Sequence, residues 1–304
     1  MVMMISHLAP LCGVAQRSVR SAATALLRSA SAAAATTSNA SQRGAAANAA
    51  PATRSFSTVA DDEVHKFNSV ATDWWAPEST TGVGALHQLN PVRVKYIRSH
   101  VIEHFGGDEH DPEPLKPFRV ADIGCGGGIL SEALCRIGGS MVSVDPGSEN
   151  IGAAKRHASQ NRVTSAIDYR CCTSDDLVAQ GEQFDIVCSL EVVEHVTDVK
   201  AFVQTLTPLV KPGGLLFMST INRNPLAAAL AVGMAEYVLG LLPPGTHDWR
   251  KFVQPEELQA ILKEEGFVVK DTSGIVGEPV FRSWRIDPNC TAINYILCAH
   301  KPQY

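Results

Sequence analysis

The chain predicts an α/β domain, a parallel sheet covered by helices on both faces, and three observations carry that prediction. From residue 118 onward, short apolar runs alternate with helix-like segments. The glycine-rich turn Asp122-Ile123-Gly124-Cys125-Gly126-Gly127-Gly128 follows one apolar run and opens a helical segment. The next apolar run ends on an acid, Asp145. No internal repeat is present, and 304 residues leave room for one large domain with extras.

The first 60 residues stand apart. They contain Arg17, Arg20, Arg28, Arg43 and Arg54, with no lysine and no acid, in a background of Ala and Ser. Such a leader has the composition of a mitochondrial transit peptide, with Arg54-Ser55-Phe56-Ser57 resembling a processing site and cleavage expected near Phe56. A low-complexity tail without an address is the alternative. Of the 26 Lys and Arg, the remaining 21 face all 31 acids beyond residue 60, a net of −10. A nucleic-acid binder needs the opposite sign, so nucleic acid is not an expected partner.

Asp61 to Phe105 reads as a helical cap, with Asn90-Pro91-Val92-Arg93 between two helical runs. Gly106 to Pro117 is a loop by its Gly, Pro and acid content. Strands are predicted at Phe118 to Ile123, Met141 to Val144, Ile167 to Tyr169, Phe184 to Leu190 and Leu215 to Thr220. Helices are predicted at Leu130 to Arg136, Glu149 to Gln160 and Val199 to Leu209. Pro225 to Leu242 is the most apolar stretch, but it carries Glu236 and falls short of the ~20 residues of a membrane span. It reads as a buried core helix or as an interfacial lid facing a greasy ligand, within an insertion over residues 222–250. The eight cysteines include no Cys-x-x-Cys pair, so no thiolate metal centre is predicted.

The glycine turn narrows the chemistry. A dinucleotide fingerprint counted from Gly124 puts Ile129 at its last glycine, and no Gly-Lys-Ser/Thr follows to hold a triphosphate. What remains is a ligand with a ribose for Asp145 and no pyrophosphate. S-adenosylmethionine fits, against the plainer reading of a glycine turn with no ligand.

Glu191, Glu194 and His195 stand at i, i+3 and i+4, a spacing that shares one face of a helical turn. Two carboxylates and an imidazole suit Mg²⁺ or another divalent cation, and the alternative is an ordinary first helical turn with acids at its positive end. His247, in a Gly/Pro-rich loop, is either an auxiliary base or structural.

Asp122 to Gly128, Asp145, Phe184-Asp185-Ile186-Val187 and Leu209-Val210-Lys211-Pro212-Gly213-Gly214 resemble the motifs of class I methyltransferases. Asn90 to Arg93, Glu191 to His195, Ser219 to Asn224 and Gly245 to Asp248 are similar to those of the ubiquinone-biosynthesis O-methyltransferases, which methylate polyprenylated catechols. The resemblance runs from about Asp61 to Lys301. It implies a Rossmann-like, mostly parallel sheet of seven strands, and cofactor contacts from Arg93, Gly124, Asp145 and Leu190. It also implies metal binding by Glu191, Glu194 and His195, with a polyprenyl catechol as substrate. The inner-membrane surface on the matrix side and other ubiquinone-biosynthesis proteins in a complex are the implied partners. Many class I enzymes place an acid for the adenine amine after the third strand, where this chain has Cys171-Cys172-Thr173-Ser174 before Asp175. Two further functions stay open: a methyltransferase for another small phenol or lipid, and a non-catalytic scaffold that binds cofactor or lipid.

Overall fold

A computed structural model describes residues 58–77, 79, 83–229, 248–278 and 283–303. The transit-peptide expectation, His247 and most of the predicted lid, Leu239 and Leu242 included, lie outside the described residues.

The chain enters through helix α1 (Asp61–Ser69) and a 3-10 turn (Ala71–Asp73), followed by α2 (Val83–Phe105). The α/β alternation follows: β1 (Arg119–Ile123), α3 (Ile129–Arg136), β2 (Ser140–Asp145), α4 (Ser148–Ala158), β3 (Asp168–Cys171) and α5 (Ser174–Ala179). Next come β4 (Phe184–Leu190), α6 (Val199–Leu206), β5 (Val210–Ile221), α7 (Pro255–Glu264), β6 (Val268–Glu278), β7 (Ser283–Asp287) and β8 (Asn294–His300). The strands form one sheet in the order β3-β2-β1-β4-β5-β8-β6-β7. The pairs from β3 to β5 are parallel, and those from β5 through β8 and β6 to β7 are antiparallel.

Among the described residues the sheet has eight strands, not seven. The extra one arises because Ser283–Asp287 folds back on Gly274–Glu278 and covers the outer edge of β6.

Alternation along the strands divides the core between the two faces of the sheet. Leu215 and Phe217 pack with Ile97, Val120 and Leu134 on one side; Leu216 and Met218 pack with Ala121, Phe202 and Leu206 on the other. Local chemistry sets the helix ends. The Asp198 side chain accepts from the Ala201 N–H to start α6, Thr173 and Asp176 form a capping box at α5, and Pro255 stands in the first turn of α7.

The break expected at Asn90 to Arg93 does not occur, because Pro91 lies inside a continuous 23-residue helix. Proline removes the N–H that would meet the His87 carbonyl. Leu89, Val92, Tyr96, Ile97, Val101 and Ile102 are buried on both sides of it, and this packed stripe keeps the helix going.

Strand order reverses at β1, which has β2 on one side and β4 on the other. In open α/β sheets this crevice at the carboxyl ends of the strands is where ligands bind. The glycine turn, Asp145 and Glu191 all stand there, at or just past the ends of β1, β2 and β4. The N-terminal segment closes the same end: Val59 bridges to Val196, and the Thr197 N–H donates to the Thr58 carbonyl at 3.0 Å.

Candidate active site

After β1 the chain turns sharply, and the N–H groups of Gly124 and Cys125 both donate to the Val144 carbonyl at the end of β2, at 2.8 and 3.0 Å. The glycines have an occupant of their own. A Cβ on Gly126 or Gly127 would come within 2.4 Å or 2.3 Å of the Trp74 side chain. The turn is therefore bare partly to seat an aromatic ring from the N-terminal cap. Trp74 is 6% exposed, and its indole N–H donates to Asn150 Oδ1 at 2.8 Å. Trp75 donates to the Gly127 carbonyl at 2.9 Å and stacks flat on His157, ring centres 3.4 Å apart. His157 in turn meets the fully buried Glu132 at 2.6 Å.

Asp145 is buried at the centre of this floor. Its Oδ2 accepts from the Gly126 N–H at 3.0 Å, and its Oδ1 accepts from the Gly147 N–H at 2.8 Å and Asn150 Nδ2 at 3.0 Å. Burial raises the carboxyl pKa, and these three hydrogen bonds oppose the rise. A carboxylate offers about four acceptor positions, so one remains for a ribose hydroxyl. Receiving both ribose hydroxyls would require one of the present donors to move. Asp122, also buried, is pushed up to about 6 by desolvation and accepts from Ser131 Oγ at 2.5 Å.

Arg93 reaches the crevice from α2. It is 5% exposed, and its Nη2 lies 2.8 Å from Glu191 Oε1, a distance that makes an ion pair without hydrogen-bond alignment. Its Nε is buried and has no hydrogen-bond partner among the described residues. Leu190, the last residue of β4, is half-buried against the core.

The acceptor side departs from the helical picture. β4 ends at Leu190 and the chain reverses through Glu191 at φ +58°, a left-handed conformation that side-chain-bearing residues seldom adopt. A short 3-10 turn follows at Val193–His195. The i, i+3, i+4 count is therefore not that of an α-helical turn, and each of the three side chains has a partner of its own. Glu191 accepts from Ser219 Oγ at 2.7 Å besides pairing with Arg93, and buried Glu194 accepts from Thr220 Oγ1 at 2.8 Å. His195 Nδ1 lies 2.9 Å from Glu63 Oε2 of α1, with the ring edge-on to Phe67. Burial first, and the Glu191 charge second, push Glu194 up to about 7. Glu63 is held down at about 2, chiefly by its hydrogen bond with His195. Among the described residues no three His, Cys, Asp or Glu side chains converge to hold a metal ion, so these residues do not fit a divalent cation as they stand.

Trp74, Asn150 and Glu63 belong to no motif that marks them in the sequence as site residues. The one signal for them was the Trp74-Trp75 pair at the end of a polar stretch, an apolar surface that must be covered. Thr173 caps α5 and Asp175 falls in its first turn, close to where an adenine-binding acid was looked for.

The comparisons with known proteins give the fold and the family. Residues 92–272 match a methyltransferase domain model. A ubiquinone biosynthesis O-methyltransferase of Rhizobium etli is 45% identical over 246 residues, 81% of this chain and 97% of the relative. One from Methylobacterium sp. (strain 4-46) is 47% identical over 240 residues, covering 79% and 94%. Among solved structures, the Synechocystis magnesium protoporphyrin IX methyltransferase with bound SAH aligns at TM-score 0.52 and 21% identity, over 79% of this chain and 98% of that one. The plantazolicin methyltransferase BpumL in complex with SAH aligns at TM-score 0.55 and 10% identity, with the same coverages. The two structures speak for the fold, and the sequence relatives for the narrower group: the chain belongs to the ubiquinone biosynthesis O-methyltransferases, on a class I methyltransferase fold.

Proposed function

We propose that the chain transfers a methyl group from S-adenosylmethionine to a hydroxyl of polyprenylated catechol intermediates of ubiquinone biosynthesis. The observation that carries this reading is Arg93: a buried guanidinium with an unpartnered Nε, beside a glycine turn and a buried Asp145 at the switch point of the sheet. Those groups suit a ligand that bears both a carboxylate and a ribose.

When bound, S-adenosylmethionine supplies a methyl already activated by its sulfonium. Arg93 holds the methionyl carboxylate, Asp145 accepts from a ribose hydroxyl, and Gly124 and Leu190 border the arm between them. The main task left to the chain is to align an acceptor oxygen with the methyl carbon and sulfur, which can be worth about 7 to 11 kcal/mol. The Trp74 and Trp75 cap keeps water from the glycine turn. Among the described residues Glu191, Glu194 and His195 do not converge on an ion site, and His247 is a base to test by substitution.

The same reading places the protein in the mitochondrion, peripheral on the matrix side of the inner membrane, with other proteins of the pathway as neighbours. The acid-free leader and the apolar Pro225 to Leu242 stretch support it. Among the described residues no helix is long and apolar enough to cross a membrane.

The deciding assay incubates the purified chain with methyl-labelled cofactor and a short-chain prenyl catechol, with and without chelator. Label in the methoxy product supports the reading. Transfer to a tail-less phenol at equal efficiency favours a methyltransferase of wider range, and cofactor binding without transfer favours a scaffold.

A further inference from the structure

Asn90 stands one turn before Arg93 on α2, and an i, i+3 spacing puts the two side chains side by side on the helix. Chemistry fixes how its amide is turned. Nδ2 donates to the Ile129 carbonyl at 3.1 Å, and because a carbonyl only accepts, the amide oxygen must be the end that faces away. That oxygen is buried and has no donor among the described residues. Buried polar atoms are rarely left this way, so an unmatched acceptor calls for a partner.

Arg93 Nε is unmatched too. One helix face thus presents an unused acceptor and an incompletely used cation next to Ile129, the first residue of the helix that the glycine turn opens. An α-amino acid carries the complement of that pair on a single carbon: an ammonium that only donates and a carboxylate that only accepts.

We propose that Asn90 is a cofactor-binding residue whose amide oxygen accepts a hydrogen bond from the α-ammonium of the methionyl arm, while Arg93 takes the carboxylate. The inference rests on the reading that the cofactor is S-adenosylmethionine. It gives Asn90 two jobs at once: Nδ2 ties α2 to the start of α3, and Oδ1 reads the charge of the ligand.

Calorimetry with two ligands separates these jobs. S-adenosylhomocysteine has the amino-acid arm, whereas 5′-methylthioadenosine shares its adenosine and thioether but lacks the arm. Asn90→Leu should weaken S-adenosylhomocysteine by about tenfold or more, the scale of a hydrogen bond to a charged group, and leave 5′-methylthioadenosine as in the wild type. Asn90→Asp gives up the bond to Ile129 but keeps an acceptor and adds charge, so it should bind S-adenosylhomocysteine more tightly than Asn90→Leu does. Asn90→Ser is the substitute if the leucine variant does not fold. Unchanged S-adenosylhomocysteine affinity overturns the proposal. Equal weakening of both ligands also overturns it, because Asn90 would then only brace α3. If the wild type binds neither ligand, the cofactor reading itself falls.

Discussion

Asp145 and Glu191 both stand at the carboxyl ends of parallel strands, with β1 between those strands, yet the fold holds them in opposite ways. Asp145 is fixed by neutral donors, two of them backbone N–H groups of the turns around it. Glu191 is fixed by an arginine from a distant helix, by Ser219 and by a left-handed backbone. The first arrangement is held in place without any ligand and keeps one acceptor position open. The second is a charge pair whose cation is the same Arg93 proposed to take the cofactor's carboxylate, so a ligand can compete for it. The floor around Asp145 is therefore built in advance, and the Glu191 pair can change partners when the crevice fills.

The largest effect should come from breaking the floor. Asp145→Ala removes the proposed ribose acceptor and leaves two backbone N–H groups and Asn150 without their partner. S-adenosylhomocysteine affinity measured by calorimetry should fall by about a hundredfold or more, with a lower melting temperature. A folded variant of unchanged affinity would erase the distinction between the two sides.

Glu191→Gln tests the other half. Glutamine can still accept from Ser219 but no longer holds Arg93 as an ion, so the unliganded protein should melt earlier while S-adenosylhomocysteine binds about two- to tenfold tighter. Turnover should drop. Weaker binding in this variant would move Glu191 to the cofactor side.

A smaller effect is expected from pH at the point where α1 docks on His195. Glu63 titrates at about 2 in the folded chain against an ordinary 4.5. Its contribution is therefore present above about 4.5 and is lost as pH falls from there toward 2. The melting-temperature difference between wild type and Glu63→Gln should accordingly be present above about pH 4.5 and shrink as the pH falls below it. A difference that grows on acidification would mean that Glu63 does not hold the cap. The smallest effect is expected from removing divalent ions: chelation should leave S-adenosylhomocysteine affinity unchanged, because Arg93, Gly124, Asp145 and Leu190 need no ion. A loss of affinity on chelation would show that the two sides share one.

The parallel half of the fold was legible because its signals are local. Phe184–Leu190 was read to the residue, and the other parallel strands differ mainly at their ends. Most of the antiparallel edge was not legible, since β6 and β7 carry Lys270, Asp271, Arg285 and Asp287 among their apolar residues and blur the period of two. The opposite error was made at Pro91, where a local rule suggested a break and long-range packing of α2 overrode it. In the site, the glycine turn and Asp145 were visible as a motif. The separate engagement of Glu191, Glu194 and His195 was not, because a left-handed backbone at Glu191 and the 3-10 turn after it leave no mark in residue spacing. Trp74 was invisible as a site residue because its partners, Gly126, Gly127 and Asn150, are more than 50 positions away.

The seating of that tryptophan pair gives the protein an optical signal at the reacting end of the sheet. Of the four tryptophans, Trp74 lies buried on the glycine turn and Trp75 stacks on an imidazole, while Trp249 is half exposed and Trp284 sits on the edge strand β7. An indole in a dry, crowded setting emits to the blue of one in water, and a stacked imidazole quenches its neighbour. Any ligand that lifts the cap off the turn, or presses it down, should therefore shift the colour and intensity of the intrinsic emission, and titrating the unlabelled chain would follow the crevice as it fills.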